Sequence, residues 1–250
     1  MKIVVVGSGS KGNACLLDCG STLIQIDMGV PLFRVKKELS LLNHEVKDIQ
    51  AVLITHDHND HISTLSLYHG KIPLYAGEGT LGKKNDYHVL SPYVPLMIGD
   101  FNIVPFPTSH DATGPMGFVI EDNHSRLGYV TDTGLLGKEA LSLLQDCDYY
   151  YFESNHDSKM LEESNRPLIL KRRIRGRKGH LSNVKSATYL AHLIGPHTKG
   201  IYLAHLSEEC NTPELALKTL KDTLFEAKVD TSALEILACS QWGPTYGGEK

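Results

Sequence analysis

Residues 55–61 read Thr-His-Asp-His-Asn-Asp-His and stand directly behind the apolar segment Ile49 to Ile54. No other stretch constrains the fold as strongly: a short apolar run ending in clustered ligand-type side chains asks for a buried strand that turns at a polar edge. With Ile49 to Thr55 as that strand, His56 and His58 alternate toward one point. Asp60 and His61, on the first turn of a following helix, face a second. Imidazole and carboxylate suit zinc and its neighbours, and catalytic metal sites keep a position open for water. Two divalent ions a few ångströms apart can clamp both the attacking and the leaving oxygen of a displacement. A plain polar loop accounts for one such histidine, but five ligand-capable residues among the six from His56 to His61 exceed what a loop needs.

The remainder alternates short apolar runs with amphipathic stretches, which predicts an α/β fold. Lys2 to Val6, Ala14 to Asp18 and Thr22 to Asp27 fit strands joined by glycine turns, and Pro31 opens an amphipathic helix through Leu42. Phe101 to Thr108, Gly117 to Glu121, Arg126 to Thr131 and Asp148 to Glu153 follow as strands. Ser182 opens a helix to Ile194, Gly200 to Ala204 is a strand, Thr212 and Pro213 open another helix, and Leu234 to Ala238 closes the strand list. No repeat, linker or composition break divides the 250 residues, so one domain over 1–250 is expected. No run approaches the ~18 apolar residues of a membrane span, and the N-terminus lacks a secretory signal pattern, so a cytoplasmic protein is expected. The odd set of five cysteines, Cys15, Cys19, Cys147, Cys210 and Cys239, has no zinc-finger spacing and fits reduced thiols.

Gly7-Ser8-Gly9-Ser10-Lys11-Gly12 matches the glycine fingerprint of dinucleotide-binding folds, with Asp27 downstream. That fingerprint requires a helix next, whereas Ala14 to Asp18 and Cys19-Gly20-Ser21 describe a strand and a hairpin turn. The loop's surplus amides offer an anion nest near the site, although a tight turn is the simpler account.

Three strand ends downstream carry ligand-type residues: His110 after Phe101 to Thr108, Asp132 after Arg126 to Thr131, and His205 after Gly200 to Ala204. Alone, each fits a cap or turn. With the first cluster they complete two coordination spheres, and Asp132 suits a bridging carboxylate that lets two cations approach. Lys171 to Lys178 holds six cations in eight residues on a chain of net charge -4. A solvated helix face would explain the run by itself. Its position directly before Gly179-His180-Leu181-Ser182 instead places cations beside a further candidate histidine, where a phosphate backbone would be steered.

The order His-x-His-x-Asp-His, then His110, Asp132 and His205, resembles the metallo-β-lactamase superfamily over nearly the whole chain. Gly7 to Asn13, Ser109-His110-Asp111-Ala112, Glu153-Ser154-Asn155-His156-Asp157, Gly179 to Asn183 and Leu203 to Ser207 resemble its YycJ (WalJ) group, which is associated with DNA exonuclease activity. The resemblance implies an αββα four-layer sandwich with one metal on His56, His58 and His110 and a second on Asp60, His61 and His205. Asp132 is shared, and zinc is favoured with manganese as the alternative. It further implies that Asp27 orients the ligand loop from behind, and Asp57 is expected to support that loop without binding metal. By similarity to tRNase Z-type phosphodiesterases, Glu153 and His180 assist protonation of the leaving group. One departure from the YycJ pattern is Arg166-Pro167, where an aromatic residue usually precedes the proline; another is the unusually basic Arg175 to Lys178.

The mechanism expected is hydrolysis of a phosphodiester by a water activated between two metals, with Asp60 in the catalytic set and His180, oriented by Glu153, as general acid. Lys171, Arg172, Arg173 and Arg175 would hold flanking phosphates of a nucleic acid, DNA before RNA. The resemblance implies an exonuclease of 5′-to-3′ polarity. Two alternatives use the same residues: a hydrolase of small esters, thioesters or lactones on this fold, and a metal-stabilised nucleic-acid-binding module without turnover.

Overall fold

The computed structural model describes residues 1–68, 72–82 and 86–249. The first sheet contains, in spatial order, β1 (Lys2–Gly7), β2 (Ala14–Asp18), β3 (Leu23–Ile26), β4 (Ala51–Ile54), β5 (Leu74–Gly77) and β6 (His88–Leu90). The second contains β7 (Leu96–Ile98), β8 (Phe101–Pro107), β9 (Met116–Glu121), β10 (Arg126–Val130), β11 (Tyr149–Glu153), β12 (Gly200–Ala204) and β13 (Glu235–Ala238). β14 (Thr245–Gly248) then returns to the first sheet beside β1. Each sheet starts antiparallel and continues parallel, switching at β3–β4 in the first and β10–β11 in the second.

Parallel pairing needs long crossovers, and helices fill them. α1 (Leu32–Leu41) lies between β3 and β4, while α2 (Asn59–Ile62) and α3 (Leu65–Tyr68) lie between β4 and β5. α4 (Lys138–Leu143) precedes β11; α5 (Ser158–Glu163), α6 (Leu168–Arg175) and α7 (Asn183–Leu193) precede β12; α8 (Pro213–Glu226) precedes β13. The expected starts of α7 and α8 are capped as their sequences require: Ser182 Oγ accepts from Lys185 N and Thr212 Oγ1 from Leu215 N.

Alternation along the strands builds four layers. Ile3 and Val5 of β1, Ala51 and Leu53 of β4, Leu127 and Tyr129 of β10, and Tyr202 and Ala204 of β12 meet in the core between the sheets. The opposite faces of β1 and β4 pack with Val35 and Leu39 of α1 in an outer core. Those of β10, β11 and β12 pack with Ala140, Leu190 and Leu220 of the second helix layer. Burial on both faces explains why β4 and β12 appear in the sequence as unbroken apolar runs. The architecture is the expected αββα sandwich. Among the described residues, no helix is long and apolar enough to cross a membrane.

Leu234 to Ala238 is not the last strand. β14 reads Thr-Tyr-Gly-Gly, a weak strand former, and it is ordered by its ladder with β1 from Lys2↔Gly248 to Val5↔Thr245. β5, β6 and β7, of three or four residues each, also escape a pattern-based reading, because so few side chains cannot display a period.

Candidate metal centre

Apart from His180, which stands in the loop between α6 and α7, every ligand-type residue singled out in the sequence sits at the carboxyl end of a strand or in the turn beyond it. β3 delivers Asp27, β4 delivers His56 and the turn into α2, β8 leads to His110, and β10, β11 and β12 deliver Asp132, Glu153 and His205. Carboxyl ends at a topological switch are where open α/β sheets bind ligands. Three of these residues leave their strands in left-handed backbone: Asp27 at φ 59°, Asp132 at 49° and His205 at 53°. Such backbone costs about 1–3 kcal/mol per non-glycine residue and persists only where neighbours fix it. The Asp27 amide donates to Leu53 O at 2.8 Å, and that of His205 to Ser8 Oγ at 2.8 Å.

Asp27 is the pivot behind the first cluster. Its carboxylate accepts from Thr55 N at 2.8 Å, from Thr55 Oγ1, and from His61 Nδ1 at 2.7 Å, which turns His61 Nε2 toward the site. His110 donates from Nδ1 to Gly179 O at 3.1 Å and likewise presents Nε2. Asp57 points elsewhere and accepts the Thr113 amide at 3.0 Å, tying the ligand loop to the loop after β8.

The presented atoms converge. Donor atoms of His56, His58 and His110 lie within 4.8 Å of one another, as do those of Asp60, His61 and His205. Asp132 stands between the two sets, 3.2 Å from His61 Nε2, 3.6 Å from His205 Nδ1 and 3.7 Å from His110 Nε2. A third grouping joins Asp132 and His205 to Glu153 and His180. His180 Nδ1 is 2.7 Å from Glu153 Oε1, whose other oxygen accepts the amides of Thr133 and Leu181.

Close packing of imidazoles against carboxylates shifts both. Burial, reinforced by His61, His110 and His58, holds His56 well below the ordinary imidazole pKa, so it stays neutral and ligand-ready. Burial opposes ionisation of Asp132, yet His205 and His61 hold it well below the usual carboxylate range. Glu153, also buried, is brought to about 2 by the charge and hydrogen bond of His180, with help from His205. His205 rises to about 10, because Asp132, Asp60 and Glu153 outweigh its burial. Among the described residues, buried His56 Nε2 has no hydrogen-bond partner, an orphan that a metal ion would satisfy. Imidazoles facing carboxylates around such an atom fit divalent ions of the zinc or manganese kind.

The basic run divides in α6 and the loop behind it. Lys171 is buried and its ammonium hydrogen-bonds to Glu162 O, Arg173 pairs with Asp111, and Arg175 pairs with Glu162. Arg172, Arg177 and Lys178 are exposed and carry no ion pair among the described residues. The loop is wedged against the site: a Cβ on Gly134, two residues past Asp132, would strike the carbonyls of Gly176 and Arg177.

The glycine loop forms no anion nest. Its amides are engaged internally, Ser8 to Ser240 O, Gly9 to Asn13 Oδ1, Lys11 to Gln241 Oε1 and Gly12 to Gly9 O. It instead delivers Asn13, whose Nδ2 reaches Asp60 Oδ2 at 3.3 Å and His61 Nε2 at 3.0 Å. Asn13, Asn155, Thr55 and Asp111 stand inside motifs quoted from the sequence, but no role at the site was read for them there. Asn155 Nδ2 donates to His205 O at 2.9 Å. Each is a common polar residue whose partner lies far off in the chain, so no local spacing marks it.

Two mixed sheets under flanking helices, with a His/Asp donor cluster at their strand ends, define a hydrolase class, and the chain belongs to the metallo-β-lactamase superfamily. The "Beta-lactamase superfamily domain" family matches residues 13–205. Within the superfamily the chain falls with the WalJ/YycJ group. It is 33% identical over 239 residues to "Exodeoxyribonuclease WalJ" of Streptococcus pneumoniae serotype 2 (strain D39 / NCTC 7466), covering 90% of this chain and 89% of that one. It is 31% identical over 233 residues to "Exodeoxyribonuclease YycJ" of Bacillus anthracis, covering 89% and 88%. Among solved structures, the metallo-beta-lactamase fold protein YhfI from Bacillus subtilis matches with a TM-score of 0.74 at 16% identity, over 98% of this chain and 99% of that one.

Proposed function

We propose that this chain is a metal-dependent phosphodiesterase that degrades DNA as an exonuclease of 5′-to-3′ polarity, in the cytoplasm and as one domain. The observation that carries it is His180, on the loop that exposes Arg177 and Lys178, with its Nδ1 2.7 Å from Glu153 at the end of β11 and 3.5 Å from Asp132. A candidate proton donor, a candidate metal-binding cluster and exposed cations sharing one edge support this reading. The resemblance to two exodeoxyribonucleases over about nine-tenths of the chain supports DNA as the substrate.

His56, His58 and His110 would hold one ion and Asp60, His61 and His205 a second, with Asp132 between them; zinc suits so imidazole-rich a set. Bound there, two divalent ions supply Lewis acidity and a water acidified toward neutrality. The chain's own part is proton delivery. Glu153 fixes Nδ1 of His180, which leaves Nε2 to protonate the departing oxygen as the phosphorus–oxygen bond breaks. Arg172, Arg177 and Lys178 hold the neighbouring phosphates. The test incubates zinc- or manganese-loaded protein with end-labelled single-stranded DNA, duplex DNA and RNA, with and without chelator. Chelator-sensitive release of mononucleotides from a 5′ end is expected. Cleavage of a thioester or lactone with no nucleic acid cut would overturn the reading.

A further inference from the structure

Beyond the metal cluster lies a cavity of about 380 Å³ that hydrolysis does not use. It begins one residue past His205, with Leu206 and Ser207 in its wall, and Ser8, which holds the His205 amide, also lines it. Trp242 forms its rim. This is the only tryptophan of the chain, and it is 67% exposed. The ring is nonetheless held in place: its Nε1 donates to Glu208 Oε1 at 2.5 Å, and the Trp242 and Gly243 amides both donate to Ser240 Oγ at 3.1 Å. An exposed indole held this firmly by polar partners presents a flat apolar face to solvent.

The wall chemistry selects what would lie on that face. No lysine or arginine lines the cavity and Glu208 does, so a phosphate is disfavoured. The second oxygen of Glu208 is free to accept, as a carboxylate accepts from the exocyclic amine of a base. Gln241, also in the wall, has a buried Nε2 with no hydrogen-bond partner, although Lys11 N holds its Oε1 at 3.1 Å. A planar heterocycle with donors on its edge answers the exposed indole face and the accepting carboxylate. We infer that this cavity receives an unpaired nucleobase of the substrate strand, stacked on Trp242 and read on its edge by Glu208. The inference rests on the nuclease reading for its substrate and assigns that substrate a base-binding subsite next to His205.

The lone tryptophan makes the test direct. Single-stranded oligodeoxynucleotides, intact or carrying one base-free position walked inward from the end, are titrated into the H180A variant while Trp242 fluorescence is followed. Cleavage kinetics are measured in parallel on the wild type, W242A and W242F. Saturable quenching is expected, lost when one particular position lacks its base. W242A should raise KM about tenfold, W242F should restore most of it, and removing that base should cost W242A nothing further. Cleavage with no quenching and no W242A effect overturns the subsite and leaves the nuclease reading intact. Quenching by oligonucleotides that the wild type never cuts keeps the subsite and sinks the nuclease reading.

Discussion

Asp27 never reaches the donor cluster, yet it holds Thr55 and His61 and so sets how the first ligand loop meets a metal. Removing such a partner behind a ligand typically costs 10–100-fold in metal affinity. D27A is therefore expected to weaken zinc binding by about that factor in a chelator competition, even though every candidate ligand remains. H180A is a separate case, because it would remove the proposed proton donor: kcat on DNA should fall by about 10²–10⁴ with little change in KM. If kcat is unaffected, His180 is not the acid. The four candidate ligands His56, His58, Asp60 and His61 were legible because one turn carries them all. Asn13 was not, because its contacts with Asp60 and His61 are made across the turn between β1 and β2, in a loop whose glycines mimic another motif.

In α6, cations that look equivalent in sequence separate into different roles once the helix is packed. Lys171 is buried and bonded to Glu162 O, so K171A should lower the melting temperature by several degrees, a stability effect of about 1–3 kcal/mol for a lost buried partner. Arg172, Arg177 and Lys178 are exposed and, among the described residues, unpaired. Each one that touches a phosphate should, when changed to Ala, make the dependence of log KM on log salt shallower by about 1. A salt slope unchanged in all three variants would remove this face from the substrate path. The basic stretch was plain in the sequence, but the partners that neutralise Arg173 and Arg175, Asp111 and Glu162, are set by tertiary packing.

Over the whole molecule, the double burial of β1, β4, β10, β11 and β12 made an α/β fold readable from the apolar runs, the αββα layering followed only from the family resemblance, and β14 depended on β1 and could not be read. Global stability should carry a histidine signature outside the donor cluster. Burial, against the pull of Glu153, lowers His156 from 6.5 to about 4, so the unfolded chain binds the extra proton first. Stability is then full above pH 6.5 and declines as pH falls toward 4, by up to ~3 kcal/mol. Denaturant titrations at pH 7 and pH 5 should show the loss in the wild type and a flatter profile in H156F. The donors also come from the strand ends of both sheets, His56 to His61 from the first and His110, Asp132 and His205 from the second. An ion held between them would work as a removable clasp across the seam of the sandwich. Chelation should then loosen the molecule mechanically as well as silence it, with faster amide exchange at the carboxyl ends of β4, β10 and β12. The supply of metal would set the protein's resistance to proteolysis together with its activity.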